Sequence, residues 1–174
     1  IEARAAMEAA GLPVAKGSSE PISDEKVASS LADEIGYPVI IKAAAGGGGI
    51  GMQIVDEESQ FASALKLCMS RAKSAFGDER VFVEKYIQGA QHVEFQVLAD
   101  GKNAIHFGER FCSIQRRHQK LVEEGPWLSD EKRQEIGALV CKGAESVGYK
   151  GLATFEFLRD CLLYTSDAAD DTCC

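Results

Sequence analysis

The sequence contains no apolar run near the roughly 20 residues that a membrane-spanning helix requires. Its longest such stretch, around residues 39–41 and their flanks, is far shorter, so no span is expected. Positive charge is in deficit too, with 19 Lys and Arg against 27 Asp and Glu for a net charge of −8. That balance argues against a general nucleic-acid binder, because polyanions are held by neutralising their phosphates. The six cysteines form no CxxC pair: Cys68, Cys112, Cys141 and Cys161 are widely spaced, and Cys173 and Cys174 are adjacent. This spacing disfavours a disulfide framework and points to a reducing, cytoplasmic setting. The opening IEARAAMEAAG lacks the basic, apolar, small-residue order of a signal peptide and reads as truncated rather than processed. Internal repeats are also missing. What is present is an ordinary globular composition, 45% hydrophobic and 26% charged, enough for one modest domain or two small ones.

Residues 3–10 read as a short helix stopped by Gly11 and Pro13, and a second helix runs from Asp24 with Val27, Leu31 and Ile35 on one stripe. PVIIKAAA has strand length and character, GGGGIG is a loop, and MQIV is a second strand. Asp56 is placed to cap a long helix carrying Phe61, Leu65, Cys68, Met69, Ala72 and Phe76 on one side, closed by Gly77. VFVEKYI is a strand, and HVEFQVLAD alternates through Val93, Phe95 and Val97 before an Asp100-Gly101 turn into NAIHFGERFCSI. Ser129 caps a helix that turns Ile136, Leu139, Val140, Ala144 and Val147 to a core, Gly148 ends it, and GLATFEFL is the last clear strand. The order α, α, β, β, α, β, β, β, α, β suits an α+β arrangement of hairpins covered by helices. A domain boundary falls near residues 87–91, at QGAQ.

The glycines at 46–49, continued by Gly51, expose backbone N–H groups where a chain must approach an anion closely. No GxxxxGK[ST] occurs and the loop leads into a strand, so this is not a P-loop; a hairpin closing over phosphates and a mobile surface turn both remain open. Lys42, at the end of the preceding strand, is placed to meet a phosphate oxygen, unless it only snorkels. Glu84 and Lys85 point to opposite sides of their strand, and the Glu84 carboxylate can accept from an exocyclic amine such as adenine's, although such a pair is usually a solvated edge. QRRHQK gathers Arg116, Arg117, His118 and Lys120 after a strand in an otherwise acidic chain. An anionic substrate, an ion-pair strip facing Glu123 and Glu124, and a small RNA-contacting patch all fit it. Glu156 in TFEF faces away from Phe155 and Phe157, where it can hold Mg²⁺ or lie exposed.

In this order and spacing, YPVIIKAAAGGGGIGM, VFVEKYI, HVEFQVLADG, CSIQRRHQKLVEEGP and GLATFEFL resemble biotin carboxylase, alone or within acyl-CoA or pyruvate carboxylases. The resemblance covers residues 1 to about 160. It implies an ATP-grasp fold with a complete lid subdomain and the beginning of the C-terminal subdomain: a linker helix at 1–13, the lid at 14–87 and the partial subdomain at 88–160. It also implies a ligase in which ATP and bicarbonate give carboxyphosphate, whose carboxyl group passes to biotin on a carrier. By motif, Lys42, Gly48 and Gly49 would bind ATP phosphates, Glu84 and the backbone of Lys85, Tyr86 and Ile87 would hold adenine, and His92, Gln115 and His118 would complete the nucleotide site. Lys120 would bind bicarbonate and Glu156 would bind Mg²⁺ or Mn²⁺. The implied partners are a biotinylated carrier domain and a carboxyltransferase, in a parent expected to be a homodimer.

After TFEFLRD the resemblance stops. The family continues into a strand with a second metal-binding glutamate, an asparagine and a catalytic arginine, whereas this chain reads CLLYTSDAADDTCC. Residues 161–174 are therefore read as foreign to the family, and the chain as one that binds ATP at most. Phe111, where the family commonly has an acidic residue, is a smaller departure. Another ATP-grasp ligase such as carbamoyl phosphate synthetase, a non-catalytic nucleotide- or RNA-binding module and an inactive truncation product are the alternatives.

Overall fold

The computed structural model describes residues 2–46, 51–116, 119–159 and 164–166. The chain runs α1 (Glu2–Ala9), α2 (Glu25–Ile35), β1 (Val39–Ala43), β2 (Met52–Val55), α3 (Glu58–Phe76), β3 (Val81–Lys85), β4 (Gln91–Asp100), β5 (Ala104–Arg116), β6 (Gln119–Glu124), α4 (Asp130–Ser146), β7 (Lys150–Arg159) and β8 (Tyr164–Ser166). This is the expected α+β order with β6 and β8 added. The elements divide into two compact units, Ala15–Gln88, and Ile1–Val14 with Gly89–Cys174.

In the unit Ala15–Gln88, an antiparallel sheet of order β2-β1-β3 is covered by α2 and α3. Strand alternation sends Val39, Ile41, Val81 and Val83 into the core, where they meet Ala28, Ala32, Phe61, Leu65 and Cys68. Each large apolar side chain so buried contributes about 1.5–3 kcal/mol. Asp24 caps α2 by accepting from the Lys26 and Val27 amides, and Gly36 ends it at φ 78°, a conformation that favours glycine. Of the expected stripe of α2, Leu31 and Ile35 pack partly buried against this core beside the buried Ala28 and Ala32, whereas Val27 is 55% exposed. The Asp56 cap is also corrected. α3 starts one residue later, with Glu57 at the N-cap and no side-chain capping bond. Gly77 closes the helix in the left-handed region, as its sequence position implied.

In the other unit, an antiparallel sheet of order β6-β5-β4-β7-β8 packs α4 on one face. Val93, Phe95, Val97 and Phe157 form its core with Ile136, Val140 and Ala144 of α4. The opening helix, expected as a linker, sends Met7 into this same core, followed by Ala10 and Leu12. Ser129 caps α4 by accepting from the Lys132 amide. Val147, expected inside, is 48% exposed, because it sits at the C-cap where the chain leaves the helix. β6 takes up part of the basic stretch that the sequence placed after a strand, pairing Gln115 with Lys120 and Arg116 with Gln119. β8 lies in the tail that showed no periodicity, yet it extends the sheet by pairing Phe157 with Ser166. Among the described residues no helix is long and apolar enough to cross a membrane.

Candidate functional site

Two groups of polar side chains stand out, one in each unit. In Ala15–Gln88, the alternation that buries Ile41 and Val83 turns Lys42 on β1 and Glu84 on β3 to the opposite face of the sheet. Their Nζ and Oε2 atoms are 2.9 Å apart, and both side chains are mostly shielded. The base of the glycine loop is pinned beside them. The Gly51 carbonyl accepts from the Ala43 amide at 3.0 Å and from the Cys68 thiol at 2.7 Å. Gly51 has φ 79°, and a Cβ there would come within 2.9 Å of the Ala43 Cβ, so only glycine closes this hairpin without strain. Gly48 and Gly49 lie outside the described residues.

The segment after Glu84 is held by its backbone and by one long side chain. The Lys85 amide donates to the Lys16 carbonyl at 2.7 Å and the Tyr86 amide to the Pro38 carbonyl at 3.1 Å. The Lys85 ammonium donates to the carbonyls of Gly36 and Tyr37 at 2.9 and 3.0 Å. It thus satisfies the C-terminal end of α2, where a cation is favoured. Ile87 follows, half-buried.

In the second unit, β4 places His92 and Glu94 on the face opposite Val93 and Phe95. Register sets Glu94 directly across from Glu156 on β7 and from Arg110 on β5. The Lys120 ammonium reaches in from β6 and donates to both Glu94 and Glu156. Arg110 bonds Glu94 through Nη2 and Glu123 through Nη1. His92 Nε2 lies 3.4 Å from the second oxygen of Glu156, while its Nδ1 is buried with no partner among the described residues. The Gln115 side chain turns to the Cys112 carbonyl at 2.8 Å. His118 lies outside the described residues.

The charges explain the titration of this group. Burial alone would lower Lys120, but hydrogen bonds to Glu156 and Glu94, and their charges, outweigh it and hold the ammonium above the ordinary lysine range. Burial alone would raise Glu156, yet hydrogen bonds from His92 and Lys120 keep its carboxyl below the usual value. Both groups are therefore charged at neutral pH. His92, Glu94 and Cys112 bring ligand atoms within 4.8 Å of one another. They make a poor metal site: burial and the Glu94 charge push the Cys112 thiol up to about 12, and Glu94 is already committed to two cations.

Of the residues singled out from sequence, the structure brings Lys42 to Glu84, and His92 and Lys120 to Glu156. Glu94 and Arg110 were missed. The signal was present in HVEFQV, since an alternation that buries Val93 and Phe95 places Glu94 beside His92 on the other face.

A small sheet with a glycine hairpin beside a lysine–glutamate pair, and a larger sheet gathering a lysine between carboxylates, define the ATP-grasp class. More narrowly, the chain belongs to the family of the carbamoyl-phosphate synthase L chain, ATP binding domain, which matches residues 1–164. Among the proteins it resembles are biotin carboxylases and a pyruvate carboxylase subunit. It is 50% identical to the biotin carboxylase of Allochromatium vinosum over 92% of this chain and 36% of that protein. It is equally 50% identical to a pyruvate carboxylase subunit from Methanothermobacter thermautotrophicus over 91% of this chain and 33% of that protein. The chain thus spans about a third of these relatives' length. Its fold matches the biotin carboxylase of Campylobacter jejuni, solved as a beta-gamma-ATP complex, with a TM-score of 0.89 and 47% identity over 95% of this chain and 38% of that one. The biotin carboxylase domain of the Hydrogenobacter thermophilus 2-oxoglutarate carboxylase, solved with MgADP and bicarbonate, gives 0.89 and 43% over 94% of this chain and 37% of that one.

Proposed function

We propose that the chain supplies the nucleotide- and bicarbonate-binding part of a biotin carboxylase, which uses ATP to carboxylate biotin through carboxyphosphate. The observation that carries this reading is the Lys120 ammonium, held charged between Glu94 and Glu156 and donating to both, in a chain half identical to biotin carboxylases. An ammonium fixed on a carboxylate-lined sheet can receive a small anion such as bicarbonate while offsetting its repulsion from the ATP phosphates.

Lys42 and the hairpin of Gly48 and Gly49 would cradle phosphate oxygens, with Glu84 setting the direction of the Lys42 side chain. Because the Lys85 and Tyr86 amides are already engaged, the Ile87 amide is the donor of that segment assigned to the adenine edge, and the Glu84 carboxylate accepts from the exocyclic amine. His92, Gln115 and His118 would complete the nucleotide site. Glu156 is a charged oxygen donor of the kind Mg²⁺ or Mn²⁺ takes alongside phosphates and water, so the residues fit a metal there. When bound, the metal would neutralise charge on the phosphates.

The parent would act with a biotinylated carrier domain and a carboxyltransferase, as a homodimer. A cytoplasmic setting is part of this reading, since Cys68, Cys112 and Cys141 are thiols, the state a reducing compartment maintains. Calorimetric titration of the chain with MgATP tests the reading. Saturable binding that is weakened by about tenfold in Lys42→Met, the loss of one charge-assisted contact, supports it. Salt-dependent RNA binding without ATP binding sinks it.

A further inference from the structure

We infer that Glu94 is the positioning residue for Lys120, a fixed anchor that holds the ammonium in place while Glu156 serves as its exchangeable partner. The inference rests on the carboxylation reading only for the identity of the anion that Lys120 receives.

The two carboxylates that share Lys120 are not equivalent. The Glu94 side chain is entirely buried, whereas Glu156 keeps 16% and Lys120 24% of their side-chain exposure. A buried carboxylate persists only where cations and hydrogen bonds match its oxygens. Glu94 meets that condition: one oxygen takes Arg110, with the Gln96 amide 3.4 Å away, and the other takes Lys120. Its backbone is locked on both sides by register, opposite Arg110 on β5 and Glu156 on β7. Arg110 in turn bonds Glu123 on β6, the strand that carries Lys120. Glu94, Arg110 and Glu123 thus fasten β4, β5 and β6 around the lysine.

Lys120 needs such a fastening because its stem has four rotatable bonds and its strand lies at the edge of the sheet. The ammonium has three N–H donors, and two of them go to Glu94 and Glu156. Glu156 is partly open to solvent and also faces His92, so its oxygens can turn to another cation. Glu94 has no such latitude. Whatever Glu156 does, the bond to Glu94 keeps Lys120 aimed, and each donor released by Glu156 becomes available to an anion.

The test is heteronuclear NMR of the chain labelled with ¹⁵N-lysine and ¹³C-glutamate, reading the Lys120 ammonium signal and its proton exchange. In Glu94→Gln, exchange is expected to quicken by about tenfold or more, the loss of a hydrogen bond between charged groups, or the signal to disappear. In Glu156→Gln the signal is expected to survive with exchange within about threefold of the unsubstituted chain. The reverse order, or no change in Glu94→Gln, overturns the inference. Should Glu94→Gln not fold, Lys120→Gln reads the same contact from its partly exposed side. The Glu94 carboxyl carbon must then shift more than that of Glu156, and an unmoved Glu94 signal overturns the inference. MgATP titration of the same unsubstituted sample separates the two claims, since absent binding removes the carboxylation reading while the Lys120 signal still decides the anchor.

Discussion

Glu94 and Glu156 stand directly opposite each other on adjacent antiparallel strands, two like charges whose juxtaposition is tolerated because one ammonium bonds both. Facing carboxylates are otherwise destabilising. Replacing Lys120 by Met is therefore expected to cost about 2–4 kcal/mol of stability at neutral pH, somewhat less than breaking a fully buried pair because the Lys120 side chain keeps 24% of its exposure. Without Lys120, Glu156 loses the bond and the charge that hold its carboxyl down and keeps only His92 beside it. Its folded affinity for protons is raised, so stability is retained at low pH and lost as pH rises. Urea unfolding at about pH 5 and about pH 8 should show a deficit that is larger at the higher pH; an equal deficit at both would show that the carboxylates do not interact.

A second buried carboxylate gives the opposite pH dependence. Glu109 accepts from the Trp127 and Leu128 amides at 2.8 and 2.7 Å and from Arg133 Nε at 2.7 Å. Burial alone would raise its pKa, but the Arg133 bond and the two amides outweigh that and lower it. A depressed carboxyl contributes stability that is fully present above its unfolded value and lost as pH falls through the folded one. Thermal unfolding from about pH 6 down to about pH 3 should show Glu109→Gln less stable than the parent at the upper end, by about 2 kcal/mol or more. The two curves should converge at the lower end.

Much of this arrangement is legible in the sequence, and the rest is not, for identifiable reasons. Val93, Phe95 and Val97 alternate with polar neighbours, and all three are buried. Lys42 and Glu84 can each be placed on a strand, but their ion pair depends on the register of β1 against β3, which no local pattern encodes. Alternation places Glu94 beside His92, but the groups that bond it, Arg110 and Lys120, arrive from other strands, so its ion pairs are not encoded locally. β6 escapes notice because it is an edge strand whose Leu121 and Val122 are 60% and 45% exposed, so burial does not alternate and only pairing with β5 defines it. Asp56 is a better capping residue by type than Glu57; the helix nonetheless begins at Glu58. Phe111, odd against the resemblance, stacks on Trp127 at 4.7 Å, with the Arg159 guanidinium 4.7 Å from the same ring.

Two thiols should be chemically silent. Burial pushes Cys68 up to about 11, against a small opposing effect of Arg71, and burial with the Glu94 charge pushes Cys112 up to about 12. The thiolate is the reactive form, so neither should alkylate appreciably in the folded chain at neutral pH. Iodoacetamide labelling followed by peptide mass spectrometry should find both unmodified until denaturant is added. Early labelling of Cys68 would show that its bond to the Gly51 carbonyl, and with it the base of the glycine hairpin, opens readily.

Gly17 is the position where a single methyl group should reach the Lys42–Glu84 pair, the face proposed for nucleotide. It forms an antiparallel bridge with Glu84, and a Cβ there would come within 2.8 Å of both the Glu84 Cγ and the Val83 carbonyl. The Glu84 side chain can swing away from such a contact, but the backbone of β3, held in register against β1, cannot, so the segment around Gly17 must lift from β3. Gly17→Ala is expected to cost about 1–3 kcal/mol of stability. It should also turn Glu84 from Lys42, lowering MgATP affinity by about tenfold. Val27→Ala, at a half-exposed position on α2, is the control for general loosening of this unit and should leave affinity within about twofold. Equal affinity losses in the two variants would show that the Lys42–Glu84 pair does not set nucleotide binding. A loss confined to Gly17→Ala would mean that the absence of one side chain keeps the glutamate directed at its lysine.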